Sequence, residues 1–169
     1  MAKKKSGTSP LDAAFEYLAS KPRTIREVEL HLDKCDFGEY EIYAAVERLK
    51  ELNYVNDEKY AHDFIESRLN TKPVSRRKLT EQLKAHKIDD DIISEALEVV
   101  TNDVELENAR AVAEKFARQF AGLEQRERDN RIMKRLFSRG YDFSTIRDVM
   151  GEIDFDESDF ENMEDGFDD

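Results

Sequence analysis

Seven apolar positions recur three times along the chain without a gap, and this repetition limits the possible folds more than any other feature. Val28, Leu32, Phe37, Ile42, Ala45, Val46 and Leu49 fall, 51 residues on, at Leu79, Leu83, Ile88, Ile93, Ala96, Leu97 and Val100. A further 53 residues carries them to Ile132, Leu136, Tyr141, Ile146, Val149, Met150 and Ile153. The approach to the second helix of a unit repeats too, because Lys21-Pro22-Arg23-Thr24 becomes Lys72-Pro73-Val74-Ser75, one hydroxyl residue replacing another. A unit of this size buries only about 60% of the surface its unfolded chain exposes, so stacking on a neighbour supplies what it lacks. The expected fold is all-α, with three tandem three-helix repeats in an elongated, curved, modular arrangement.

Local signals place the helices. Thr8-Ser9-Pro10 reads as the entry to a helix over 11–20, and Thr24 as the cap of one that turns Ile25, Val28 and Leu32 inward. A third helix follows the turn at Phe37-Gly38 and stops at Asn53. Asp57 sits where the next N-cap belongs, ahead of Tyr60, Ala61, Phe64, Ile65 and Leu69 at helical spacing. Pro73 blocks continuation, and Ser75 caps a helix whose apolar face is only Leu79 and Leu83. Asp89, Asp90 and Asp91 lie at the start of the helix carrying Ile93 and Leu97, where carboxylates oppose the dipole. A longer helix over 104–120 stops before Gly122, a basic one ends at Gly140, and Ser144 caps the last. The divisions expected are residues 1–10 as a disordered start, 11–53, 54–102 and 103–153 as the repeats, and 154–169 as a disordered acidic tail.

Charge is unevenly spread. Residues 152–169 hold ten carboxylates and no basic residue, so the preceding 151 residues account for only −2 of the net −12. Residues 72–87 carry six Lys or Arg (Lys72, Arg76, Arg77, Lys78, Lys84, Lys87) against Glu81 alone. Residues 126–139 carry another six (Arg126, Arg128, Arg131, Lys134, Arg135, Arg139) against Glu127 and Asp129. Two basic helices on a near-neutral body are the electrostatic footprint of a polyanion or acidic-protein partner, although a charged helix face also serves plain solubility. Tyr60, Phe64, Phe116 and Phe120 recur at core spacing rather than as base-stacking residues, so any DNA binding is expected to be weak and without sequence preference.

Several function classes find no support. No Gly-rich phosphate loop, nucleophile elbow or Glu/His metal motif is present, so neither catalysis nor a cofactor is implied. His31 and Cys35 are four apart on one helix, but no second pair at ligand spacing follows. A single Cys excludes an intramolecular disulfide. No apolar run is long enough to span a bilayer, and the Met-Ala-Lys-Lys-Lys start lacks the apolar core of a secretory signal, so a cytoplasmic monomer is expected.

These residues resemble the RecX family, small bacterial regulators of the RecA recombinase. The likeness runs from about Leu11 to Ile153 and is most specific at Tyr54-Val55-Asn56-Asp57, Tyr60-Ala61, Phe64-Ile65, Arg68, Ser75, Leu79, Leu83, Ile88, Ile93 and Ala96-Leu97. Arg139-Gly140-Tyr141 followed by Ile146 is similar to the family's arginine-glycine-aromatic turn. One departure is His86-Lys87-Ile88, where the family usually has glycine before the isoleucine. The resemblance implies three repeats of a three-helix fold, binding to RecA or the RecA–DNA filament, and inhibition of strand exchange, ATP hydrolysis and the coprotease activity behind the SOS response. A helix-turn-helix-like DNA-binding regulator acting without RecA is the alternative, and an interaction scaffold a third. The acidic tail lies outside the resemblance. It reads as an intramolecular competitor for the basic helices, as a linear motif built on Phe155, Phe160 and Phe167, or as plain solvation.

Overall fold

The computed structural model describes residues 8–151; of the expected disordered ends, residues 1–7 and 154–169 lie outside them, as does Ile153, whereas at the start Ser9 caps the first helix and Pro10 opens it. Among the described residues there are nine α-helices and no strand, in three successive triplets: α1 (Pro10–Leu18), α2 (Ile25–Lys34), α3 (Glu39–Glu51); α4 (Asp57–Thr71), α5 (Arg76–Ala85), α6 (Asp90–Ala96) with a 3-10 turn at Leu97–Val99; and α7 (Asn102–Gln119), α8 (Gln125–Ser138), α9 (Phe143–Gly151). No described helix is long and apolar enough to cross a membrane.

The chain divides into two compact units, Met1–Glu66 with Thr80–Glu98, and Ser67–Leu79 with Val99–Asp169. In the first, α1 packs on α2 and α3 around Ala14, Val28, Leu32, Val46 and Leu49. In the second, α7 packs on α8 and α9 around Val112, Phe116, Ile132, Leu136, Tyr141 and Met150. The equivalent leucines Leu32, Leu83 and Leu136 are all fully buried.

One turn recurs at the end of each triplet's second helix. Asp36, Lys87 and Gly140, which are equivalent in the repeat, all adopt the left-handed conformation, with φ of 63°, 64° and 86°. The following amide reaches back to the buried leucine: Phe37 N–H to Leu32 O at 3.4 Å, Ile88 N–H to Leu83 O at 3.3 Å, and Tyr141 N–H to Leu136 O at 3.4 Å. Each thus closes a Schellman motif with its apolar contact, satisfying carbonyls that the helix end would leave unpaired. Lys87 pays the steric cost that glycine avoids at the matching third turn. The family's missing glycine is therefore replaced without a change of backbone.

Two caps differ from the sequence reading. Asn56, not Asp57, caps α4, its Oδ1 accepting from Lys59 N–H at 2.8 Å. Asp57 instead accepts from Ile25 N–H at 2.9 Å, at the start of α2. Asp142, not Ser144, caps α9, accepting from Thr145 N–H at 2.8 Å, and Ser144 Oγ donates to the same Asp142 oxygen. The Thr145 bond holds the Asp142 carboxyl below its ordinary pKa.

Candidate functional site

Of the twelve basic residues singled out above, two fall in the first unit and ten in the second. Lys84 and Lys87 line an open cleft of about 820 Å³ on the first unit, together with Lys50, Asp57, Glu58 and Asp89. Lys84 is also paired with Asp90 at 2.9 Å. Charges of both signs in that cleft do not add up to an anion site.

In the second unit the start of α5 is tied down. Ser75 is buried, its N–H donates to Arg139 O at 3.0 Å, and its Oγ caps Lys78 N–H at 3.1 Å. Glu105 Oε1 accepts from Arg76 N–H at 3.0 Å, while the Arg76 guanidinium donates to Val100 O at 3.0 Å and that of Arg77 to Gly140 O at 3.5 Å. These two arginines close backbone carbonyls, so part of their role is to hold the joint. Lys78 packs beside Gly140 and is half-buried, and Lys72 is exposed.

Helix α8 presents the stronger cationic surface. Arg126, Arg131, Lys134 and Arg135 are exposed, Arg128 and Arg139 half-buried. Arg131, Arg135 and the α8 C-cap Arg139, four residues apart and so on one face, lie over aromatic rings at the end of α7: Arg131 over the C-cap Phe120 at 5.7 Å, Arg135 and Arg139 over Phe116 at 5.4 and 5.1 Å. Phe116 and Phe120 stack on each other at 5.7 Å. Burial draws the Arg139 guanidinium below its ordinary pKa, though it remains a cation at any physiological pH. Arg131 is also paired with Glu127 at 2.6 Å.

A guanidinium stacked on a ring keeps its N–H edge directed outward and loses little side-chain freedom when it meets a phosphate or carboxylate. Beside this ladder is a shallow cleft of about 420 Å³ lined by Arg126, Asn130, Arg131 and Lys134 with Glu124 and Glu127. Sequence reasoning assigned Phe116 and Phe120 to the core and missed their second use. The four-residue spacing shared by the phenylalanines and the arginines was the available signal. His31 and Cys35 do meet, Nε2 to Sγ at 3.8 Å, with Tyr17 stacked on the imidazole at 4.0 Å. Burial and the nearby Arg23 and Lys34 charges lower the His31 pKa.

The sequence carries the family's own domain patterns. Residues 56–97 match the model of the RecX second three-helix domain and residues 103–150 that of the third, together more than half of the chain. The chain belongs to the RecX family. The regulatory protein RecX of Prosthecochloris aestuarii is 30% identical over 85% of this chain and 92% of its own length. That of Lactobacillus johnsonii is 27% identical over 96% of this chain, which spans only 58% of the length of that relative. The crystal structure of RecX from Lactobacillus salivarius superposes with a TM-score of 0.71 at 29% identity, covering 86% of this chain and 94% of that one. A second RecX crystal structure, at 21% identity and a TM-score of 0.69, shares the fold. The RecX relatives are named regulatory proteins, and the second and third triplets above correspond to the family's second and third three-helix domains.

Proposed function

We propose that this chain is a non-catalytic regulator that binds RecA or the RecA–DNA filament and inhibits its recombinase, ATPase and coprotease activities. The observation that carries the reading is the arginine ladder of α8 on a chain of the RecX family. Fixed cations at four-residue spacing suit the phosphates of a filament or acidic protein surface, and they need no base-specific contact. Binding to bare single- or double-stranded DNA follows as a weak, salt-dependent activity. A cytoplasmic monomer built of repeats over 11–53, 54–102 and 103–153 is part of this reading.

The test reverses charge where the fold is not at stake. Arg131→Glu with Lys134→Glu alters two exposed positions. It should raise the concentration needed for half-inhibition of RecA ATP hydrolysis at least tenfold, about 1.4 kcal/mol, with helical content unchanged. Unchanged inhibition by the folded variant would remove α8 from the site. Arg76 is a poorer target, because its replacement also releases Val100 O.

A further inference from the structure

The cleft of the first unit is a poor anion site, but its lining suits a different occupant. Val55 and Ile88 are buried in it and Ile25 and Ile92 half-buried, beside four cations and four carboxylates. Its volume of about 820 Å³ lies within the range of about 300 to 1,000 Å³ usual for ligand clefts. Three of the cations already have partners: Arg26 pairs with Glu29 at 2.8 Å, Lys50 with Glu47 at 2.8 Å and Lys84 with Asp90 at 2.9 Å. Two carboxylates do not. Among the described residues neither Asp57 nor Asp89 has a cation within ion-pair reach.

Asp57 Oδ1 accepts from Ile25 N–H at 2.9 Å, which leaves Oδ2 for a second donor. Burial raises the Asp57 pKa, and the Asp89 charge adds to this against the opposing Ile25 N–H and Lys50. An asparagine would offer Ile25 the same oxygen without a half-buried charge, so the fold has no need of a carboxylate at this position. Asp89 stands at the N-cap of α6, yet its side chain makes no cap bond there. Two carboxylates that raise each other's energy, next to apolar surface, suit a cation that brings hydrophobic surface with it.

Such a cation is a side chain. Among the described residues no group of three or more His, Cys, Asp or Glu could hold a metal ion, and a hydrated ion gains nothing from isoleucines. Nucleic acid would meet four carboxylates here. Arginine fits better than lysine, because its fork can serve two carboxylates, its head is weakly hydrated and its stem packs on apolar surface.

We infer that this cleft takes an arginine side chain presented by a partner protein, its guanidinium on Asp57 and Asp89 and its stem on Ile25, Ile88 and Ile92. The site belongs to a different unit from α8, and it rests on the proposed function only in naming RecA as the protein that presents the arginine.

The first measurement concerns the cleft alone. Chemical shifts of the isotopically labelled full chain are followed as N-acetyl-arginine methylamide is added in about 150 mM NaCl, near physiological ionic strength. The amides of Asp57, Asp89 and Ile92 should shift together and saturate, with half-saturation at about 1 mM. The capped lysine should bind at least threefold more weakly. Asp57→Asn with Asp89→Asn should weaken the arginine titration at least fivefold, its spectrum reporting the fold, whereas Arg131→Glu with Lys134→Glu should leave it unchanged. Shifts that do not saturate, or that are no larger there than at exposed carboxylates elsewhere, overturn the site. Equal binding of lysine overturns the choice of side chain, and saturation by oligothymidine instead of arginine overturns a protein occupant.

The second measurement concerns the partner. Asp57→Asn with Asp89→Asn should raise the concentration needed for half-inhibition of RecA ATP hydrolysis at least fivefold, with oligothymidine affinity within twofold of the parent. Arginine binding lost but inhibition unchanged overturns the partner contact. A parent chain that does not inhibit RecA at all overturns the proposed function, and the titration still decides the cleft.

Discussion

The joint at Thr24 in the first unit and the joint at Ser75 in the second follow one plan with different parts. In each, the buried hydroxyl residue that caps a triplet's second helix sits on the left-handed turn of the next triplet. Thr24 Oγ1 donates to His86 O at 2.7 Å, whereas at the equivalent place the Ser75 backbone N–H donates to Arg139 O at 3.0 Å. An acid from the next first helix completes each: Asp57 on Ile25 N–H, Glu105 on Arg76 N–H. The residue whose carbonyl is used also carries a side chain over an aromatic. His86 lies 5.5 Å from both Tyr60 and Phe64 and pairs with Glu27 at 3.0 Å, while Arg139 lies over Phe116. The first joint therefore uses a side-chain hydroxyl, an imidazole and Lys87 at the turn; the second uses backbone, a permanent cation and glycine. Bringing backbone against backbone requires glycine at the second turn and leaves room for a side chain at the first.

Gly140→Ala should break the comparison most visibly. A Cβ at Gly140 would lie 2.6 Å from Ser75 Oγ and 3.0 Å from Lys78 Cβ, at a φ of 86°. The left-handed alanine and the overpacked contact together should cost about 2 to 4 kcal/mol. Lys87→Ala, at the equivalent exposed position, should stay within about 0.5 kcal/mol. Urea unfolding gives the totals, and hydrogen exchange in α8 against α2 assigns them to a unit. Similar losses at the two turns would mean that the second joint is no tighter than the first.

Lys87→Gly sharpens the same contrast from the other side. A left-handed lysine costs about 1 to 2 kcal/mol, and glycine returns about 0.5 to 1 kcal/mol of that as unfolded-chain entropy. The net expectation is a gain of about 0.5 to 1 kcal/mol, seen as protection in α2 and the second half of α5. A loss would show that the Lys87 side chain contributes contacts that outweigh its backbone strain.

The repeat was legible because it depends on spacing alone: a leucine that must be buried against the same turn in each triplet recurs at Leu32, Leu83 and Leu136. The choice of cap was not. Asn56 and Asp57 are both competent N-cap residues, as are Asp142 and Ser144, and which one serves depends on what else is near. Asp57 is drawn away by the unpaired amide of Ile25, a partner 32 residues distant that no local rule can see. The basic helices were legible as charge and illegible as geometry. Counting lysines and arginines does not reveal that Arg76 and Arg77 turn to backbone carbonyls while Arg131, Arg135 and Arg139 stand on phenylalanine rings.

The smallest expected effect separates the two units by pH. Burial raises the Asp57 pKa, Asp89 and Glu27 adding to it against the opposing bond from Ile25, whereas hydrogen bonding from Thr145 lowers that of Asp142. For Asp57 the folded state binds its proton more tightly than the unfolded chain. Its contribution is complete below the ordinary carboxylate value near 3.9 and is lost as pH rises through the higher folded value. For Asp142 the contribution is complete above the ordinary value and is lost as pH falls through the lower folded one. Asp57→Asn keeps an oxygen for Ile25 N–H and removes the buried charge, so at pH 7 it should be neutral or slightly stabilising, within about 0.5 kcal/mol. Below the ordinary value that gain should vanish. Asp142→Asn should behave oppositely, destabilising at pH 7 and converging on the parent as its carboxylate would have been protonated. Urea midpoints at pH 7 and pH 3.5 check both. If Asp57→Asn were clearly destabilising at pH 7, the carboxylate charge would be helping to hold α2, and the hydrogen bond to Ile25 would outweigh the burial that opposes it.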